Sequence, residues 1–205
     1  MAETTHTSHV HRDDIGSKLG MWLFIFTELL LFAGLFIVYA VYRHAHLEAF
    51  NLASQELDVR IGTINTAILL ISSATIAMAT TAIQRKNKRL TLALIGTTLV
   101  LALVFLVNKY FEWSLKISHD LYPGSPLLGE LGRGDTLFFG LYYFMTGLHA
   151  LHIIVGMVVL SFIFVFVWKG KLTHDNFQLL ENGGLYWHLV DVIWIFLFPL
   201  FYLIT

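Results

Sequence analysis

The sequence contains no cysteine. Disulfides, thiolate metal sites, iron–sulfur clusters and a cysteine nucleophile are therefore excluded. The absence says nothing about compartment, because an all-helical membrane bundle needs no staples. Charge is scarce as well: Asp, Glu, Lys and Arg make up 13% of the 205 residues, about half of the ~25% usual in soluble domains. So few charges cannot cover the surface of a water-soluble fold of this size. The formal net charge of −1 offers no electrostatic case for nucleic acid. The sequence has no Walker motif, dinucleotide fingerprint or Ser/His/Asp signature. It has no low-complexity tract and no internal repeat of the kind found in secondary transporters. Met1–Lys18 lacks the apolar region and cleavage site of a secretory signal, so the first hydrophobic segment is expected to be retained.

What is present is hydrophobic. Apolar residues make up 57% of the chain, with 17 Phe, and mean hydropathy is +0.70. A bilayer core takes about 20 apolar helical residues. Five stretches reach that length, at about 19–42, 61–83, 90–115, 137–168 and 179–204. No period-two strand pattern competes, so helices are the spanning structure. The expected fold class is all-α: a polytopic membrane helical bundle of five transmembrane helices. Residues 1–17, with His6, His9 and His11, form a polar tail, and 18–205 a single transmembrane domain.

Lys and Arg set the orientation. Arg12, Lys18, Arg85, Lys86, Lys88, Arg89, Lys169 and Lys171 fall on one side, and Arg43, Arg60, Lys116 and Arg133 on the other. This bias places the N-terminus in the cytoplasm and the C-terminus outside. The tight Arg85–Arg89 link makes the second and third spans an antiparallel hairpin. The outer loop from Ser118 to Asp135 holds Pro123, Pro126 and four glycines, and is expected to be an ordered cap.

Ionisable groups inside a span are costly and default to functional suspects. Glu28 lies about 15 Å of helix rise from Lys18, near mid-bilayer. It must be protonated or paired. His149 and His152 stand at i, i+3 in the fourth span. They suit either hydrogen bonding between helices brought close by Gly147, Ala150 and Gly156, or haem or metal ligation with His188. His188 and Asp191 repeat that spacing in the fifth span, where Asp191 could accept from the ring. Tyr186 and Trp187 are read as the start of an interfacial aromatic belt, and Glu181 as a headgroup-level residue. Lys109, Glu112 and Lys116 form a charge ladder at a helix end, with the lysines expected to snorkel to the interface. Pro199 is expected to kink the fifth span. These residues alone lead to a polytopic subunit or small transporter with a buried polar seam.

Five segments in order carry a resemblance. KLGMWLFIFTELLLFAGLF (Lys18–Phe36) resembles the helix with a buried Glu in subunit III of haem–copper terminal oxidases. INTAILLISSATIAMA (Ile64–Ala79) is similar to that family's next helix, and NKYFEW (Asn108–Trp113) to the end of the one after. FFGLYYFMTGLHALHIIVGM (Phe138–Met157) resembles its GxHxxHxxxG-like segment. ENGGLYWHLVDVIWIFLFPLFYL (Glu181–Leu203) resembles its YWHxVDVxW close. The long form has seven helices, and this chain resembles the short five-helix bacterial form.

The resemblance implies a non-catalytic subunit III of a cytochrome c oxidase in the bacterial inner membrane. It would pack on subunit I and support proton uptake and complex stability during aerobic electron transfer to oxygen. No cofactor would reside in this chain: haems and copper would belong to subunits I and II, with bound phospholipid here. Subunit II and a small subunit IV would be further partners, and cytochrome c or quinol the donor. Glu28, His149, His152, Glu181, His188 and Asp191 would serve packing, lipid contact and coupling to subunit I, with no catalytic or metal residue. Quinol oxidase and nitric oxide reductase-associated relatives are the near alternatives. A haem-carrying membrane anchor, or a proton-coupled transporter using Glu28 and Asp191, are those of another class.

Overall fold

A computed structural model describes residues 14–204. The predicted tail, with His6, His9 and His11, lies outside the described residues. Seven helices follow in order: α1 Asp14–Ala45, α2 Leu47–Ser54, α3 Val59–Gln84, α4 Lys88–Ser118, α5 Pro126–Leu131, α6 Arg133–Trp168 and α7 Gln178–Tyr202. Five of these, all but α2 and α5, are long and apolar enough to cross a membrane. The five expected spans are therefore present, the first four longer than the apolar core that reveals them and the fifth of nearly the expected length.

One pattern explains how they pack. The buried positions of α4 are Thr91, Ile95, Thr98, Ala102, Phe105, Lys109, Glu112 and Lys116, an unbroken alternation of three and four residues. On α3, Gly62, Asn65, Leu69, Ser72, Ile76, Ala79 and Ile83 repeat the alternation, as do Tyr142, Thr146, His149, Ile153, Gly156, Leu160, Ile163 and Val167 on α6. Such spacing keeps one seam of each helix facing its neighbours, as in left-handed coiled coils. The expected hairpin is α3–α4, joined by Arg85–Asn87, and it is the most extensive helix pair. Helix α7 packs against both α3 and α6.

Helix α1 is peripheral. Only 11% of its most apolar 18-residue window is buried, against 56% for α7. Its inward stripe is narrow: Ile25, Phe32 and Tyr39 are buried, and Met21, Glu28 and Leu35 half-buried between them. Polar contacts tie that stripe down at three depths: Lys18 to Glu181 at 3.4 Å, Glu28 to His152 at 2.9 Å, and the Tyr39 hydroxyl to the Leu200 carbonyl at 2.5 Å.

Two elements differ from expectation. The link after α1 forms the short helix α2, which lays Phe50 edge-on to Phe138 at 5.4 Å. The approach works because Gly134 has no side chain: a Cβ there would stand 2.5 Å from that of Ala49. The loop expected to run to Asp135 ends earlier. It contains α5, N-capped by Ser125, whose hydroxyl accepts from Leu128 N–H at 3.2 Å, and α6 already begins at Arg133. The cap is ordered, with Leu121 and Leu128 buried beneath it.

Trp187 and Tyr186 are not an interfacial belt. Both are buried, Trp187 completely, and its indole N–H donates to Ser72 Oγ at 3.1 Å. Gly156 makes room for them, since a Cβ there would sit 2.8 Å from the Trp187 ring. Gly147 faces Trp113 more loosely, at 3.3 Å. Helix α7 continues through Pro199 to Tyr202.

These spacings order a mutational series. Gly156→Ala should lower stability by about 1–3 kcal/mol through overpacking. Gly34→Ala, where a Cβ meets nothing within 4 Å, should change it by less than about 0.5 kcal/mol. Thermal unfolding of the purified protein in one detergent separates the two, and equal melting temperatures would contradict the tight Gly156–Trp187 contact.

Candidate functional site

The polar residues of the spans assemble into three groups along the inward seams. The first joins α4, α6 and α7. Lys109 Nζ donates to Glu112 Oε2 at 3.1 Å, to the Tyr142 hydroxyl at 3.1 Å and to the Tyr202 hydroxyl at 2.7 Å. Both phenols donate to Glu112 Oε1, at 2.7 Å from Tyr142 and 2.5 Å from Tyr202. An ammonium has three N–H donors, and all are used. The ammonium also lies 4.9, 5.2 and 5.3 Å from the ring centroids of Tyr142, Trp194 and Tyr202. The set is closed and carries no net charge when Lys109 and Glu112 are both ionised.

The snorkelling expected of the ladder is therefore corrected. Lys109 and Glu112 are each 3% exposed. They occupy the same alternating positions as Phe105 and Ala102, so they point where those residues point. Lys116, next on the stripe, also turns inward and donates to the Glu56 backbone carbonyl.

The second group lies between α1 and α6. His152 Nε2 faces Glu28 Oε2 at 2.9 Å, and Nδ1 faces the Leu148 carbonyl at 2.7 Å. A carbonyl only accepts, so Nδ1 carries a proton. The Glu28 contact then holds one proton, as Glu–COOH against a neutral ring or as carboxylate against imidazolium. Either way the pair has no net charge, which meets the requirement for Glu28 near mid-bilayer. Tyr186 donates its hydroxyl to the His152 carbonyl at 3.0 Å.

The structure separates His149 from His152. His149 lies on the α6 seam, fully buried against Phe105 and Trp194 with ring centroids 5.8 and 5.2 Å away. His152, three residues on, falls to the flank that meets α1. Among the described residues His149 finds no hydrogen-bond partner at either nitrogen.

The third group is on α3 and α7. His188 Nδ1 and Ser73 Oγ are 2.7 Å apart. Asp191 is buried, and neither of its carboxylate oxygens has a hydrogen-bond partner among the described residues. The expected direct His188–Asp191 pair is not formed, and His188 meets Ser73 instead. Glu181 pairs with Lys18 at the partly exposed end of α7. No group of three or more His, Asp or Glu side chains placed to hold a metal occurs among the described residues.

Sequence reasoning missed Tyr142, Tyr202, Ser73 and the amide pair Asn108–Asn65 at 2.9 Å. The available signal was the alternation of three and four residues. Extending the apolar stripe of α4 through Lys109 and Glu112 marks them as inward and calls for polar partners on facing helices.

A polytopic helical membrane protein with two acid–base pairs and several hydroxyl bonds between its helices is the class these features define. Comparison with known proteins specifies it further: the description of the family cytochrome c oxidase subunit III matches residues 1–205. The chain belongs to that family. It is 31% identical over 201 residues to cytochrome c oxidase subunit 3 of Thermostichus vulcanus, covering 96% of this chain and 92% of the relative. Cytochrome bo(3) ubiquinol oxidase subunit 3 of Pseudomonas aeruginosa is 27% identical over 197 residues, 95% of this chain and 89% of the relative. Heme-copper oxidase subunit I+III of Aeropyrum pernix is 32% identical over 193 residues, 91% of this chain, which spans only 22% of that longer protein.

The closed set gives a testable asymmetry. Glu112→Gln removes the negative partner that a buried ammonium has among the described residues and should destabilise the protein by about 3–5 kcal/mol. Replacing the pair together, with Lys109→Met and Glu112→Leu, should recover much of that loss. If the double variant melts no higher than Glu112→Gln, the destabilisation does not come from an unpaired charge.

Proposed function

We propose that this chain is the non-catalytic subunit III of a proton-pumping haem–copper terminal oxidase in a bacterial cytoplasmic membrane. Its N-terminus lies inside and its C-terminus outside. It packs directly on subunit I, with subunit II and a small subunit IV as further members of the complex. The haems and copper belong to subunits I and II. The complex passes electrons from cytochrome c to oxygen, and a quinol-fed complex is the alternative, because relatives of both names match over nearly the whole chain.

The observation that carries this reading is family membership over residues 1–205. Three others support it. The basic end of the bundle, with Arg85, Lys86, Lys88, Arg89, Lys169 and Lys171, favours the cytoplasmic side. The relative from Aeropyrum pernix is named as a joined subunit I+III. Both nitrogens of His152 are already engaged, with Glu28 and the Leu148 carbonyl, which disfavours haem ligation by that ring.

Within this reading Glu28–His152 couples α1 to the bundle and holds one exchangeable proton near mid-membrane. Glu28→Gln keeps a donor toward His152 Nε2 without the charge, so assembly and oxygen consumption should remain largely intact. Glu28→Leu strands the ring nitrogen and should cost about 1–3 kcal/mol of stability. Loss of most turnover in the Gln variant would contradict a coupling role. The assignment itself is tested by a mild-detergent pull-down of the tagged chain, with mass spectrometry and an optical spectrum. Subunits I and II should co-purify with haem absorbance, and subunit II names the donor. A chain that emerges alone and colourless would overturn the proposal.

A further inference from the structure

The two interhelical connections at the basic end, Arg85–Asn87 and Lys169–Phe177, meet around a cavity of about 190 Å³. Its floor is apolar and buried: Ile83, Val167 and Leu172. Its rim is polar: Lys86, Lys88, Thr173 and His174. Among the described residues no carboxylate lines it, and the acid in these two connections, Asp175, is 2.9 Å from the His174 ring. Lys88 is held at the rim by its bond to the Trp168 carbonyl at 2.7 Å, which uses one of three donors.

The backbone supplies a second, independent observation. Helices α3, α4 and α6 all close with the same pair of bonds. In α3 they are Lys86 N to Ile83 O and Asn87 N to Ala82 O; in α6 they are Gly170 N to Val167 O and Lys171 N to Phe166 O. In α4 they are Asp120 N to Ile117 O and Leu121 N to Lys116 O. Each motif requires a left-handed residue, and glycine or asparagine is the usual occupant. Gly170 at φ 70° and Asp120 at φ 56° fit. Lys86 at φ 61° is the outlier, a long side chain in a conformation that disfavours it. Its effect is to put an ammonium at the cavity mouth, and strain retained at such a point is a pointer to function.

We propose that this cavity binds the phosphate of an anionic glycerophospholipid from the adjoining leaflet. Lys86 and Lys88 receive the phosphate, Thr173 and His174 offer further polar contacts, and the apolar floor accepts the glycerol end of the acyl chains. The apolar floor favours a lipid over free phosphate, which would remain hydrated. The site is built from α3, α4, α6 and the α6–α7 connection, away from α1 and the Glu28–His152 pair. Its validity does not rest on the oxidase assignment.

The test uses the tagged full-length chain purified in mild detergent, with whatever partners it retains, titrated with dioleoylphosphatidylglycerol or dioleoylphosphatidylcholine and read by native mass spectrometry. Lys86→Gly is the key variant, because glycine relieves the left-handed strain and the protein should fold at least as well. Phosphatidylglycerol retention should fall about fivefold in Lys86→Gly, and again in Lys86→Gly with Lys88→Met, with phosphatidylcholine unaffected. Equal retention by wild type and Lys86→Gly would overturn the proposal. Displacement of the lipid by millimolar inorganic phosphate alone would identify a free-phosphate site and overturn the lipid assignment.

Discussion

Lys109 is the residue that the interior must be built around. An ammonium enclosed by three helices has no water to return to, so its three donors must find acceptors where the helices place them. They find Glu112, Tyr142 and Tyr202, one from its own helix and one each from α6 and α7. The carboxylate in turn takes both phenols. Registers of α4, α6 and α7 that slid by one turn would keep the Lys109–Glu112 pair but leave two of the ammonium's three donors without their phenol acceptors. Apolar packing alone, which is tolerant of sliding, imposes no such condition. The cluster therefore specifies the register of the bundle at the end where α2 and α5 cover it.

The same rule recurs with smaller stakes along the other seams. Trp194 donates to Thr66, Trp187 to Ser72, and Thr75 meets Thr98. Each bond joins different helices, and hydroxyls on α3 and α4 supply most of the partners. Glycines at the crossings let large aromatic rings reach those hydroxyls. Helix α1 is held differently. With most of its surface outside the bundle, it depends on a narrow stripe and on polar contacts at its start, middle and end.

For an accessory membrane subunit this economy is coherent. Two interior acid–base pairs, Glu28 with His152 and Glu112 with Lys109, neutralise each other's charge. The pair at Glu28 keeps one proton without net charge, and so it can lie deep in the membrane whichever partner holds that proton. The exposed apolar faces, including Tyr110 and Phe111 on α4 and Phe144 and Phe162 on α6, are surfaces for lipid or neighbouring chains. A subunit that assembles beside others in a bilayer has need of such faces.

Hydrophobic run length alone determined the five spans, because a bilayer admits few other solutions for 20 apolar residues. The tight basic link determined the α3–α4 hairpin for the same geometric reason. Ordered motifs such as the YWHxVDVxW segment pointed to the family. Partners were beyond reach, since hydrogen bonds between residues 30 to 161 positions apart depend on helix rotation and depth. Spacing of i, i+3 put His149 and His152 on one face, yet 60° of rotation on a helix sends one to the core and the other to α1. Charge type suggested that Lys109 would snorkel outward, and the seam turned it in. Those choices belong to the tertiary structure, where Glu28, His152, Lys109 and Glu112 take the orientations in which facing helices supply their partners.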